Sequence, residues 1–115
     1  MSTRCFIAIT KDEATYQSIY CHYDGYDTDN GVGPTLRQHH NSEAQAESLI
    51  ALGDISYVKD EIACAYHRDR GDAWDQTKPK TTYSQSELFT LAKACDAQYL
   101  YLFNQGGWHS FILKN

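Results

Sequence analysis

The chain has 115 residues, 42% of them hydrophobic and 22% charged, which fits one globular domain over residues 1–115 that needs no disulfide or metal staple to bury a core. Ten basic residues against fifteen acidic ones give a net charge of -5, so extended nucleic-acid binding is disfavoured: that mode replaces counterions with an excess of Lys and Arg. No apolar run approaches the ~18–20 residues of a membrane helix, and Cys5-Phe6-Ile7-Ala8-Ile9 is too short for a signal-peptide core with its flanks, which places the protein in the cytoplasm, away from membranes.

Residues 4–9 read as a first strand. Residues 16–23, rich in Tyr and Ile, read as its hairpin partner across the polar turn Thr10-Lys11-Asp12-Glu13-Ala14. Strand alternation puts Ile19, Cys21 and Tyr23 on one face and Tyr20, His22 and Asp24 on the other. Residues 25–33 read as an irregular loop whose Gly, Asp and Asn residues open backbone angles closed to others. Pro34 suits the first position of a helix over about 34–40. Ser42 with Gln45 makes a capping box opening a second helix, which carries Ala46, Leu49 and Ile50 on one face and meets Gly53 as its C-terminal cap.

Residues 55–58 form a short extended piece. Residues 61–68 read as a third strand, with Ile62, Cys64 and Tyr66 on one face and Ala63, Ala65 and His67 on the other. Residues 69–82 read as loop. Ser84 with Glu87 makes a second capping box, and Leu88, Leu91, Ala92 and Cys95 recur at helical spacing. Residues 98–103 and 108–113 form a terminal hairpin. The predicted order is β-β-α-α-β-α-β-β. Short helices are unstable alone in water and must lay their apolar stripes on a sheet. The expected fold is therefore α+β, an antiparallel-rich sheet with the helices packed on one face.

The four cysteines, Cys5, Cys21, Cys64 and Cys95, lie too far apart for a zinc knuckle or a redox pair. Their apolar surroundings mark them as buried free thiols. Two segments carry most of the chemistry. In Tyr20-Cys21-His22-Tyr23-Asp24-Gly25-Tyr26, the two-residue spacing aims His22 and Asp24 from one strand face, as a metal pair, an oriented acid–base pair or a hydrogen bond finishing the strand. In Tyr66-His67-Arg68-Asp69-Arg70-Gly71, the arginines suit bidentate contacts to carboxylate or phosphate, or an ion-pair network with Asp69 and Asp72. The Asp27-Asp29 loop lacks the later Glu of a calcium loop. Gly31-Val32-Gly33 before a helix offers N–H groups to an anion. His39 and His40 complement a helix dipole at its C-terminus. Trp74, apolar bulk in a polar loop, reads as a partner anchor or as a lid over the core.

These segments together resemble a family of small proteins encoded by bacteriophages, prophages and plasmids. The matching pieces are the opening Met-Ser-Thr-Arg, the stretch from Ile19 to Tyr26, Gly31-Val32-Gly33 with Leu36, and the stretch from Leu49 to Ser56. Tyr66-His67-Arg68-Asp69-Arg70-Gly71 and the Tyr-Leu-Tyr-Leu-Phe hairpin with Trp108 complete them. The chain departs from that pattern at Tyr23, usually Trp; after Tyr26, usually Pro; at Pro34, usually Lys; and at His40, often Tyr. The resemblance implies a phage or mobile-element context, in which small proteins usually act by binding. With the size, the acidic balance and the lack of a complete catalytic set, the expected function is non-enzymatic binding of a host or defence protein, in host takeover or counter-defence. The candidate contacts are Tyr20, His22, Asp24, Tyr26, His67, Arg68, Asp69, Arg70 and Trp74, with Asp27 and Asp29 beside them. The alternative is a nucleotide-type or other small anionic ligand held by His22, Asp24, His67 and Arg68, with Tyr20 stacked on a base. A small metal-dependent hydrolase using His22, Asp24, His67 and Asp69 is the third reading. No cofactor is implied and no metal site is assigned. The terminal hairpin leaves an open edge, which invites homo-oligomerisation.

Overall fold

The computed structural model describes residues 3–113. β1 (Cys5–Thr10) and β2 (Tyr16–Cys21) form the expected hairpin, with Cys5 opposite Cys21 and Thr10 opposite Tyr16. All six residues of β1 are buried, as its continuous apolar run demands of a strand covered on both faces. Asp12 closes the turn: its Oδ1 accepts from the N–H groups of Ala14 and Thr15, both at 2.9 Å.

α1 (Val32–His39) and α2 (Glu43–Ile50) follow. The Ser42 hydroxyl accepts from Gln45 N–H at 3.2 Å, the N-cap half of the expected box, while Gln45 Oε1 accepts from the Ser42 hydroxyl rather than from its N–H. α1 starts two residues before Pro34, with Gly31 as its N-cap. Gly53, at φ +81°, turns the chain just beyond α2, and its N–H donates to the Ile50 carbonyl at 3.0 Å. β3 (Ile55–Lys59) and β4 (Ile62–Ala65) make a second hairpin. β4 ends at Ala65, not at residue 68, because Tyr66–Arg70 winds into α3. Residues 69–82 are not all loop: α4 (Trp74–Thr77) and β5 (Lys80–Thr82) lie within them. α5 (Gln85–Ala94), capped by Ser84, leads to the terminal hairpin of β6 (Tyr99–Asn104) and β7 (Gly107–Ile112).

The sheet runs β4-β3-β2-β1-β6-β7, and β5 joins the same side of β2 as β3. It is mixed, not antiparallel-rich. β1 and β6 are parallel, as are β2 and β3. Helical crossovers explain this: they return the chain beside an earlier strand in the same direction, which a tight turn cannot do.

The helices also cover both faces, not one. Cys5, Ile7 and Ile9 of β1 join Val32 and Leu36 of α1 and Ala46, Leu49 and Ile50 of α2 in one core. Phe6 and Ala8 point the other way and join Leu88 and Ala92 of α5. The buried Tyr101 donates its hydroxyl to the Gly25 carbonyl at 2.7 Å, tying the loop before α1 to β6. Burial holds that phenol far above its ordinary pKa.

Candidate functional site

The α1–α2 core includes Ile55, Val58, Ala63 and Ala65 of the β3–β4 hairpin. The α5 core contains no residue of that hairpin. One face of β3–β4 is therefore covered by none of α1, α2 and α5, and only the short α3 borders it. Tyr57 and Cys64 are register partners there, and Ile62 lies two residues before Cys64. Ile62 is 70% exposed and Tyr57 39%. Tyr23, 47% exposed, and Tyr66 with Arg70 of α3 adjoin this face. The Arg70 guanidinium stands 5.5 Å from the centre of the Tyr66 ring. It also touches the Cys64 thiol, which with the nearby tyrosines raises its pKa.

Burial raises the Tyr66 hydroxyl, while Ser56 and Arg70 beside it pull it down. The buried Ser56 Oγ makes no hydrogen bond of ordinary geometry, although Tyr66 lies next to it. Tyr20 and His22 continue the surface. The Tyr20 hydroxyl and His22 Nδ1 are 2.7 Å apart. His22 sets its ring edge-on to Tyr23, with 4.5 Å between centroids. Tyr20 is braced from below by Phe6, edge to face. Burial raises the Tyr20 phenol, and Arg4 opposes that shift.

The structure separates His22 from Asp24. β2 ends at Cys21, so alternation does not extend to residue 24. Asp24 takes φ 59°, a left-handed angle that Asp and Asn tolerate best among residues with a side chain. Its carboxylate accepts from Tyr26 at 3.4 Å and its carbonyl from Val32 N–H at 2.8 Å. Burial and that carboxylate raise the Tyr26 phenol.

His67 and Arg68 likewise lie on a helical turn, not on a strand face. His67 Nδ1 is 2.7 Å from the Asp72 carbonyl, and its ring packs on Trp74 at 5.1 Å. Trp74 opens α4 and lies against Gly53, half lid and half surface at 39% exposed. His39 and His40 are tied to Asp60, one through its carboxylate at 3.4 Å and the other through its carbonyl at 2.7 Å. Among the described residues, no three His, Cys, Asp or Glu side chains gather as a metal site.

Arg68 and Asp69 have a different task. They form an ion pair at 2.8 Å. Arg68 Nη2 also donates to the Ala63 carbonyl at 2.6 Å, and Ala65 N–H donates to Asp69 Oδ2 at 2.7 Å. Arg68 and the Ala65 N–H hold the Asp69 carboxyl below the usual range. The pair thus occupies main-chain groups of β4, the last strand of the sheet. Charged side chains on an edge strand block the addition of a further strand. The Arg-Asp string is explained by that local role.

The Gly31-Val32-Gly33 cradle is closed. Gly31, Val32 and Gly33 donate to the carbonyls of Thr28, Asp24 and Tyr26. The Asp27 carboxylate sits against Gly33, where a Cβ would collide with it, and pairs with Arg37. An anion finds neither free N–H groups nor free space there.

Sequence spacing also missed two features. Cys5 and Cys21 are register partners with their thiols side by side, while Cys64 and Cys95 are partly exposed. Asp54 is the second. Its Oδ1 accepts from Tyr20 N–H at 2.9 Å and its Oδ2 lies 3.7 Å from Lys80 Nζ. It fills the gap on the edge of β2 between β3 and β5. Only a polar residue directly after the Gly53 turn hinted at it.

Comparison with models of known protein families, with curated proteins and with solved structures returns no match. No helix is long and apolar enough to cross a membrane among the described residues.

Proposed function

We propose that the protein acts by binding another protein, through the face of the β3–β4 hairpin that α1, α2 and α5 leave uncovered and α3 borders. The supporting observation is the continuous patch of Ile62, Tyr57, Tyr23, Tyr66 and Arg70. Protein interfaces are enriched in Tyr and Arg around an apolar centre. Three of these side chains are exposed large hydrophobics, and Arg70 makes no ion pair among the described residues. The resemblance to phage, prophage and plasmid proteins points the partner toward a bacterial host or defence component.

The rival readings draw less support. His22, Asp24, His67 and Asp69 are each engaged with a different neighbour, which gives a hydrolase no common centre. Tyr20 has one side of its ring against Phe6, which limits it as a stacking platform for a base. The hollow lined by Ile9, Thr10, Lys11, Glu47 and Pro79 has a volume of about 400 Å³ and lies beside the β1–β2 turn, away from the candidate residues.

The test is capture of partners from bacterial lysate by tagged wild type, with the captured protein identified and then purified. Binding of the purified partner is measured for Ile62→Lys, Arg70→Ala and Lys93→Ala on the exposed side of α5. Loss with the first two and retention with the third is the expected result. Equal binding by all three variants removes this surface from the function.

A further inference from the structure

The two ends of the sheet are finished differently. β4 is short, and the Arg68–Asp69 pair bonds to its main chain. β7 is six residues long, Gly107-Trp108-His109-Ser110-Phe111-Ile112, and contains neither Pro nor a charged residue. It ends the strand order. Among the described residues, no side chain hydrogen-bonds to its main chain. An uncapped, uncharged edge of this length is a template for another strand. Ile112 on this edge is 73% exposed, and His109 and Ser110 are exposed with it.

We infer that β7 pairs antiparallel with β7 of a second copy of this chain, about a two-fold axis at Ser110. Three observations select a second copy over a different partner. The strand bears no charge, so two copies of a protein of net charge -5 meet there without like charges opposed. Centring on Ser110 sets Ile112 opposite the partner's Trp108, on the same sheet face, because residues at even spacing share a face. The same register sets Phe111 opposite the partner's His109 on the other face. Ile112 thus meets an indole and Phe111 an imidazole, aromatic cross-strand pairs of the kind that stabilise sheets. The contact is isologous and closes at two copies: among the described residues, the other edges are β4, which is capped, and β5, which is three residues long and carries Lys80.

The experiment is sedimentation velocity across a concentration series, with Ser110→Cys cross-linking read by non-reducing mass spectrometry. The expected result is a concentration-dependent dimer and a disulfide between the two thiols introduced at position 110, with no linkage for Ser86→Cys on α5. Ile112→Lys, which leaves the β6–β7 hairpin bonds in place, is expected to shift the protein to monomer. A wild type that stays monomeric throughout, or a dimer unmoved by Ile112→Lys and unlinked through position 110, overturns the assignment.

Discussion

Asp54 shows how much one carboxylate can organise. It reaches the Tyr20 N–H where β2 has lost β5 and not yet gained β3. Burial raises its pKa, with the Tyr20 N–H and Lys80 pulling against that rise. A raised value means the fold favours the protonated carboxyl. That contribution is fully present below the unfolded pKa of about 4 and is lost as pH rises through the folded value. Asp54→Asn keeps an acceptor for Tyr20 without the charge. Its stability relative to wild type is therefore expected to improve between pH 4 and pH 7 in urea unfolding. Asp54→Ala leaves the Tyr20 N–H without an acceptor and is expected to cost about 1–3 kcal/mol at pH 4, and less at pH 7, where it also removes the charge. A constant difference between the Asn variant and wild type across pH would show that the charge is not held at a cost. Residues of this kind are hard to read from sequence. Asp24 and His22 sit at strand-like spacing, yet a positive φ at Asp24 breaks the alternation that the spacing assumes. Alternation placed Tyr20 and His22 on one face, and their side chains do meet there, because the chain departs from the strand only after His22.

At the scale of elements, local signals read well and non-local ones did not. Ser42 and Ser84 cap α2 and α5 as their capping boxes indicate, and the first and last hairpins follow from alternating apolar residues bounded by polar turns. α3, α4 and β5 were missed because each is five residues or shorter and is held by tertiary contacts. The parallel β1–β6 pairing joins strands about ninety residues apart in sequence, and no local pattern encodes such a crossover. The Arg68–Asp69 edge cap belongs here too, since its meaning appears only once β4 is known to end the sheet. Replacing both with Ala frees the Ala63 carbonyl and the Ala65 N–H while leaving the apolar faces intact. The double variant is expected to keep its far-ultraviolet circular dichroism and to aggregate faster than wild type under mild heating, as light scattering would record. Unchanged aggregation in a folded variant would mean that the pair does not guard the edge.

Across the whole molecule, two cores share the central strands β1 and β6. β1 gives Cys5, Ile7 and Ile9 to the α1–α2 side and Phe6 and Ala8 to the α5 side. Neither layer can loosen without exposing one face of β1, so the two cores should unfold together. Leu36 and Leu88 are both fully buried, one in each core. Truncating either to Ala removes apolar contacts and leaves a cavity, at a cost of about 2–5 kcal/mol. If the cores are coupled through β1, each variant lowers a single urea midpoint, with near-ultraviolet and far-ultraviolet signals moving together. If the α5 layer is independent, Leu88→Ala instead splits the transition, and the helical signal falls before the tyrosine environment changes. The coupled outcome is expected because β1 and β6 lie between the layers with both faces buried. It also bears on binding: the strands that carry Tyr57 and Ile62, and that lead into α3 with Tyr66 and Arg70, rest on the α1–α2 core through Ile55, Val58, Ala63 and Ala65. Leu36→Ala is then expected to weaken partner binding at temperatures below its own midpoint, and Leu88→Ala of equal stability to leave it intact.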